Sequence, residues 1–181
     1  MLHVIFEEGA LWRPLRETDL RALHEILLSP YSKAGPTIGQ YKVQPNSVVE
    51  VHHATKVSRT VFKTADAGPI TSTAMRDLLD WYNQEIDVNP WPIAVAAEFV
   101  FRFLAIHPFQ DGNGRLGRGL FMLSLLQSNH TALRTIMPLI AIDRHIEKRR
   151  EAYYLTLNRC SKGAYRQNPT EYHIEYFLKF M

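Results

Sequence analysis

The sequence predicts a mainly α-helical fold carrying one β-hairpin. Three observations point there. Apolar residues recur at helical spacing through most of the chain, two apolar segments flank a glycine-rich loop, and a stretch rich in Val, Thr and His runs from Tyr41 to Lys63. With 181 residues, 46% hydrophobic and 22% charged, the composition is globular and the length suits a single domain over residues 1–181. Such a chain buries a core without a disulfide or metal staple. Lys plus Arg number 21 against 18 Asp plus Glu, so the net charge is +3. That admits anionic ligands but is too small for nucleic-acid binding unless clustered. The single cysteine, Cys160, excludes an internal disulfide framework and fits a reducing compartment. Met1 to Gly9 holds Glu7 and Glu8 and lacks the apolar core of a signal peptide. The longest nearly apolar run, Trp91 to Ile106, is broken by Glu98 and Arg102 and falls short of the ~20 residues of a membrane span. The expectation is a cytoplasmic protein that engages neither membrane nor nucleic acid.

The elements follow in order. Leu20, Leu23, Leu27 and Leu28 mark a first helix with Thr18 as its N-cap. Pro30, Gly35, Pro36 and Gly39 punctuate a loop. Ser47 to His52 and Val57 to Phe62 read as two strands. From Thr71, the residues Ala74, Met75, Leu78, Leu79, Tyr82 and Ile86 form one helical stripe, which Asn89-Pro90 ends. Pro92 suits the first position of the next helix, Ile93 to Ile106, which is apolar on almost every side and so buried. A second apolar helix runs from about Asn113 to Gln127. Two more are expected, roughly Arg144 to Ser161 and Thr170 to Phe180, with Asp143 and Asn168 or Thr170 as caps. Lys148-Arg149-Arg150 reads as a solvated helix face, and His3, His52 and His53 as surface histidines rather than metal ligands.

The chemistry concentrates in His107-Pro108-Phe109-Gln110-Asp111-Gly112-Asn113-Gly114-Arg115-Leu116-Gly117-Arg118. Glycines allow a sharp turn and close approach to a ligand. The N–H groups at a helix start, with the helix dipole, make an anion site. Arg115 and Arg118, three apart, share a helix face and present guanidinium forks suited to phosphate. Asp111 is the hard oxygen ligand that Mg²⁺ uses beside substrate phosphates. His107 can take a proton from a hydroxyl. Base, metal ligand and anion cradle together describe phosphoryl or nucleotidyl transfer.

This segment resembles the Fic signature, His-x-Phe-x-Asp/Glu-Gly-Asn-Gly-Arg-x-x-Arg, at every fixed position. The resemblance extends over about residues 18 to 180. Leu20 to Leu28 with His24 is similar to the family's early helix, Gly39-Gln40-Tyr41-Lys42 to its Gly-x-Tyr-Arg segment with Lys for Arg, Leu78 to Trp81 to the helix before the core, and Arg149 to Leu157 to a late helix. It implies the Fic fold, a helical bundle with the active-site loop between two central helices and a β-hairpin flap at about residues 47–63. It implies transfer of AMP from ATP to a Ser, Thr or Tyr hydroxyl of a target protein, with release of pyrophosphate. His107 would be the base and Asp111 would hold Mg²⁺. Gly112, Asn113 and Gly114 would line the anion hole, and Arg115 and Arg118 would neutralise the phosphates. Phe109 would anchor the loop in the core, and Tyr153 and Tyr154 would lie near the adenosine.

The resemblance also implies that backbone at Thr60, Val61, Phe62 and Lys63 pairs with the target segment as an added strand. A homodimer and an inhibitory partner in trans are further partners it allows. Two departures stand out. The family's inhibitory Ser/Thr-x-x-x-Glu-Gly/Asn helix, whose Glu pairs with Arg118, has only Glu8-Gly9 to match it, with Val4 in place of Ser or Thr. Ser161 stands where an adenine-binding Asn is usual. Two other functions compete. One is phosphate transfer of the related Doc kind, whose motif usually has Lys where Gly114 stands, and the other is a non-catalytic nucleotide-binding module. An unperturbed His107, titrating near ~6.5, would place the acid limb of transfer inside the range pH 5 to 8.

Overall fold

The computed structural model describes residues 1–31, 37–51 and 58–181. Two helices packed on each other form its centre, α4 (Pro92–Ile106) and α5 (Asn113–Gln127). Every residue of α4 from Phe99 to Ile106 is buried, as expected for a segment apolar on all sides. The polar pair in it, Glu98 and Arg102, meets at 3.4 Å on one edge, and the guanidinium lies 4.6 Å from the Trp81 ring. Gly117 lets the two helices come close, since a Cβ there would sit 3.3 Å from Leu104 Cδ2. Pro92 is the first residue of α4, as the sequence implied.

The remaining helices wrap this pair. α3 (Pro69–Val88) and α9 (Ile174–Phe180) cover α4, while α1 (Leu2–Glu8) and α2 (Glu17–Leu28) cover α5. α6 (Thr131–Ile136) follows α5, and α8 (Arg150–Ser161) packs on α9 and on the hairpin. Among the described residues no helix is long and apolar enough to cross a membrane. The strands β1 (Ser47–Val51) and β2 (Ser58–Lys63) pair antiparallel, Ser47 opposite Lys63 and Val48 opposite Phe62. The register then slips, with Val49 opposite Thr60, which makes Val61 a bulge. The expected strand ends at His52 and Val57 lie outside the described residues.

Several expectations are corrected. Thr18 is not the cap of α2. Arg16 is, and its backbone N–H donates to Asp19 Oδ2 at 2.8 Å. The N-terminal residues form a helix, because Met1 and Ile5 pack over Gly119 of α5. The helix expected from Arg144 to Ser161 is two, α7 (Ile142–Lys148) and α8, broken at Arg149 (φ −122°, ψ 34°). Asp143 lies in the first turn of α7 and does not cap it. Asn168 caps only a 3₁₀ turn, Pro169–Glu171, accepting from the Thr170 N–H at 3.1 Å. The chain then turns outward, the His173 N–H donating to Cys160 O, before α9 begins.

Candidate active site

α4 ends at His107, a non-glycine residue in the left-handed region at φ 55°, ψ 58°. Its backbone N–H still donates to Phe103 O at 2.8 Å, and Pro108 forbids another turn. The ring folds back so that Nδ1 lies 3.2 Å from the Leu104 carbonyl oxygen. A carbonyl only accepts, so Nδ1 carries the proton and Nε2 keeps a lone pair. Burial lowers the pKa of His107 to about 4, with the Lys42 charge adding to the effect and the Leu104 bond opposing it. This overturns the expected limb near neutrality. A base must be neutral to work, and His107 is neutral well above pH 4. If His107 is the base of a transfer reaction, its own titration should leave the rate flat from pH 5 to 7 and lower it as pH approaches 4. A rate profile across that range checks this, and a half-maximal point above pH 6 would contradict it.

Phe109 anchors the loop from below. It is fully buried, stacks on His24 at 3.9 Å with the planes 8° apart, and meets Tyr41 edge-on at 5.5 Å. His24 is held at both nitrogens. Nδ1 accepts from the Gly39 N–H at 2.9 Å, so the proton sits on Nε2 and is donated to Asp111 O at 2.9 Å. Asn113 is 1% exposed, and its amide brackets Phe109. Oδ1 accepts from the Phe109 N–H at 2.9 Å and Nδ2 donates to Phe109 O at 2.6 Å. The side chain of Asn113 thus faces the loop's interior. Only its backbone N–H remains for an anion.

The cradle itself is built from backbone and arginines. Gly112 adopts φ 80°, where a Cβ would also press within 3.4 Å of His24. Leu116 donates to Gly112 O at 2.9 Å, so the N–H groups of Asn113, Gly114 and Arg115 precede the first intrahelical bond of α5 and point out of its N-terminus. Arg115 Nη2 lies 3.1 Å from Asp111 Oδ2, and its guanidinium 5.0 Å from the Tyr31 ring. Arg118 donates through Nη1 to Gly114 O at 3.0 Å and through Nε to Asp143 Oδ1. Each motif arginine is therefore paired with a carboxylate, Arg115 with Asp111 and Arg118 with Asp143.

The family model of the Fic/DOC family matches residues 14–125, more than half the chain. The chain belongs to the Fic/DOC family. A Fic domain containing signaling protein from Bacteroides thetaiotaomicron superposes over 99% of this chain and 62% of its own, with TM-score 0.68 and 26% identity. A Fic family protein from Desulfovibrio desulfuricans does so over 98% and 48%, with TM-score 0.66 and 26% identity. Protein adenylyltransferase fic-1 of Caenorhabditis elegans is 34% identical over 89 residues, 49% of this chain and 16% of that protein. The chain thus spans less than two thirds of the length of each.

Tyr153 is 8% exposed and packs on Phe180 and Phe177 at ring distances of 5.5 and 6.3 Å. It is a core residue, and burial raises its hydroxyl pKa. Tyr154 keeps part of its ring exposed beneath the Arg150 guanidinium, 5.7 Å away. Ser161 is buried and donates to Leu157 O at 3.1 Å, so its hydroxyl is not aimed at a base. Glu8 is exposed at the end of α1, and the Gly9 that follows it packs on Leu123 of α5. The carboxylate that meets Arg118 is Asp143, which sequence reading had taken as a helix cap. The pairing spans 25 positions, and no local pattern announces it.

Asp143 is 56% exposed and Arg118 26% exposed, which puts the pair in the range of about 0.2–1 kcal/mol. In a nucleotide-binding role for Arg118, Asp143 would compete with a phosphate for the same guanidinium. Asp143→Asn should therefore bind ATP about two- to fivefold more tightly, read by calorimetry. Weaker binding would mean that Asp143 instead orients Arg118 for the nucleotide.

Among the described residues, no group of three or more His, Cys, Asp and Glu could hold a metal ion. Asp111 stands alone, its side chain 78% exposed, one oxygen accepting from the Gly112 N–H at 2.6 Å and the other facing Arg115. One open carboxylate beside an anion cradle is the donor set that Mg²⁺ uses when substrate phosphates complete its shell.

Proposed function

We propose that this chain is a protein adenylyltransferase that moves AMP from ATP to a hydroxyl of a protein. The observation that carries the reading is the free lone pair of His107 Nε2, next to a helix N-terminus flanked by two guanidinium forks. The naming of several relatives as protein adenylyltransferases agrees with it. In the step, the acceptor hydroxyl gives its proton to His107 Nε2 and its oxygen attacks the α-phosphorus. The bond from that phosphorus to the bridging oxygen breaks, and pyrophosphate leaves with the bonding pair. The backbone N–H groups at residues 113–115 take up charge developing on the α-phosphate. Arg115 and Arg118 exchange their carboxylates for β- and γ-phosphate oxygens. Asp111 would hold Mg²⁺, which supplies charge neutralisation at the phosphates.

The protein target docks on the hairpin in this reading, but not over the whole stretch expected from sequence. Lys63 already donates its N–H to Gly163 O at 2.9 Å and accepts from the Tyr165 N–H at 2.8 Å. Val61 and Phe62 are buried, and Val61 O accepts from Asn158 Nδ2 at 3.0 Å. Of the four, Thr60 and Lys63 are exposed, and only Thr60 is exposed without those bonds to residues 163 and 165. An added strand therefore pairs toward Ser58 and Thr60, beyond the bulge. Intact-mass spectrometry of the protein after incubation with ATP and Mg²⁺ tests the reaction. An AMP adduct supports it, a phosphate adduct assigns phosphotransfer, and nucleotide binding with no adduct on the protein or on any lysate protein removes the reading.

A further inference from the structure

A helix that ends in a sharp turn leaves its last carbonyls without intrahelical donors. At the end of α4 each one is met. Leu104 O faces the His107 ring, Ala105 O accepts from the Ala65 N–H at 3.3 Å, and Ile106 O accepts from Lys42 Nζ at 2.9 Å. The next carbonyls belong to the loop. His107 O accepts from Asn46 Nδ2 at 3.1 Å, Pro108 O from the Lys42 backbone N–H at 2.7 Å, and Phe109 O from Asn46 Nδ2 at 2.8 Å. Lys42 and Asn46 between them hold four consecutive carbonyls, 106 to 109, centred on the left-handed residue that carries the imidazole.

The two are also locked to each other. Lys42 is 2% exposed. Its ammonium spends its other donors on Asn46 Oδ1 at 2.9 Å and Thr64 Oγ1 at 3.1 Å. All three acceptors of that ammonium are neutral, and burial lowers its pKa to about 8, so below that pH a positive charge stands under the C-terminal end of α4, where a helix dipole favours it. Asp66 supplies the opposing charge from outside this shell. Neither Lys42 nor Asn46 touches Arg115, Arg118 or the N-terminus of α5 through any of these bonds.

We propose that Lys42 and Asn46 are positioning residues for transfer: they set where the His107 imidazole stands relative to the nucleotide cradle and do not contribute to nucleotide binding. This rests on the adenylyltransferase reading above. Misplacing a reacting group by about 1 Å costs on the order of 10²-fold in rate. Lys42→Met should therefore lower kcat about 10²-fold and leave the KM for ATP within about twofold. Lys42→Arg, which restores charge and donors, should recover most of the loss. Should Lys42→Met not fold, Asn46→Asp, of equal size but without the Nδ2 donors, carries the same expectation. Equal loss of kcat and ATP binding, or no loss, overturns the proposal. Amide hydrogen exchange separates this from the reaction itself. If the wild type forms no AMP adduct, faster exchange at His107 and Phe109 in Lys42→Met, with Val100 to Phe103 unchanged, still supports the positioning role. Exchange unchanged at the loop, or faster everywhere, rejects it.

Discussion

Replacing His107 by asparagine will lower AMP transfer by roughly 10²- to 10⁴-fold, the usual contribution of a positioned general base. Asparagine is the better substitution here. It tolerates φ 55°, whereas alanine in the left-handed region would add a backbone penalty of about 1–2 kcal/mol and blur the result. Among the described residues the wild-type ring bonds to the Leu104 carbonyl, and Asn113, Arg115 and Arg118 bond elsewhere. ATP affinity and melting temperature should then change little while kcat collapses. Initial rates at saturating ATP, beside calorimetric ATP binding, check both halves. Retention of more than a tenth of the rate would remove His107 from the proton transfer.

Asn113→Ala should do a different kind of damage. The wild-type amide meets both polar groups of Phe109 in a site 1% exposed. After truncation Phe109 O keeps Asn46, but the buried Phe109 N–H loses its acceptor. An unsatisfied buried donor costs about 1–3 kcal/mol. Stability should fall by that amount, seen as a lower urea midpoint with unchanged slope. Transfer should fall with it, because the bracket joins the His107 side of the loop to the helix that forms the cradle. If Asn113 contacted phosphate instead, ATP binding would weaken with stability intact.

The contrast between these two residues shows what a sequence can disclose. The stretch from His107 to Arg118 is legible because its residue types are themselves the chemistry. The division of labour inside it is not. Whether Asn113 faces a phosphate or Phe109 depends on a turn conformation set by Gly112 and by His24, 89 positions before Asn113. The depressed pKa of His107 comes from burial, and the partners Lys42 and Asp143 reach the site from distant segments. The central helices were legible nearly to the residue, since Pro92, Asn89-Pro90 and the glycines punctuate an unbroken apolar pattern. The break at Arg149 was not, because Glu147 to Glu151 are all good helix formers and the chain turns there under tertiary constraint. α1 and α6 are short, and their pattern is too brief to stand out.

The hairpin's root is riveted to the chain beyond α8. Lys63 and Val61 bond to Gly163, Tyr165 and Asn158, while Asn46 and Thr64 at the hairpin's base bond to each other, and Asn46 to the loop that carries His107. A pull on residues 158–165 would reach the hairpin and, through its base, the loop that carries the imidazole. In the proposed reading, a shift of the strand that receives the acceptor would therefore be felt at the base that takes its proton.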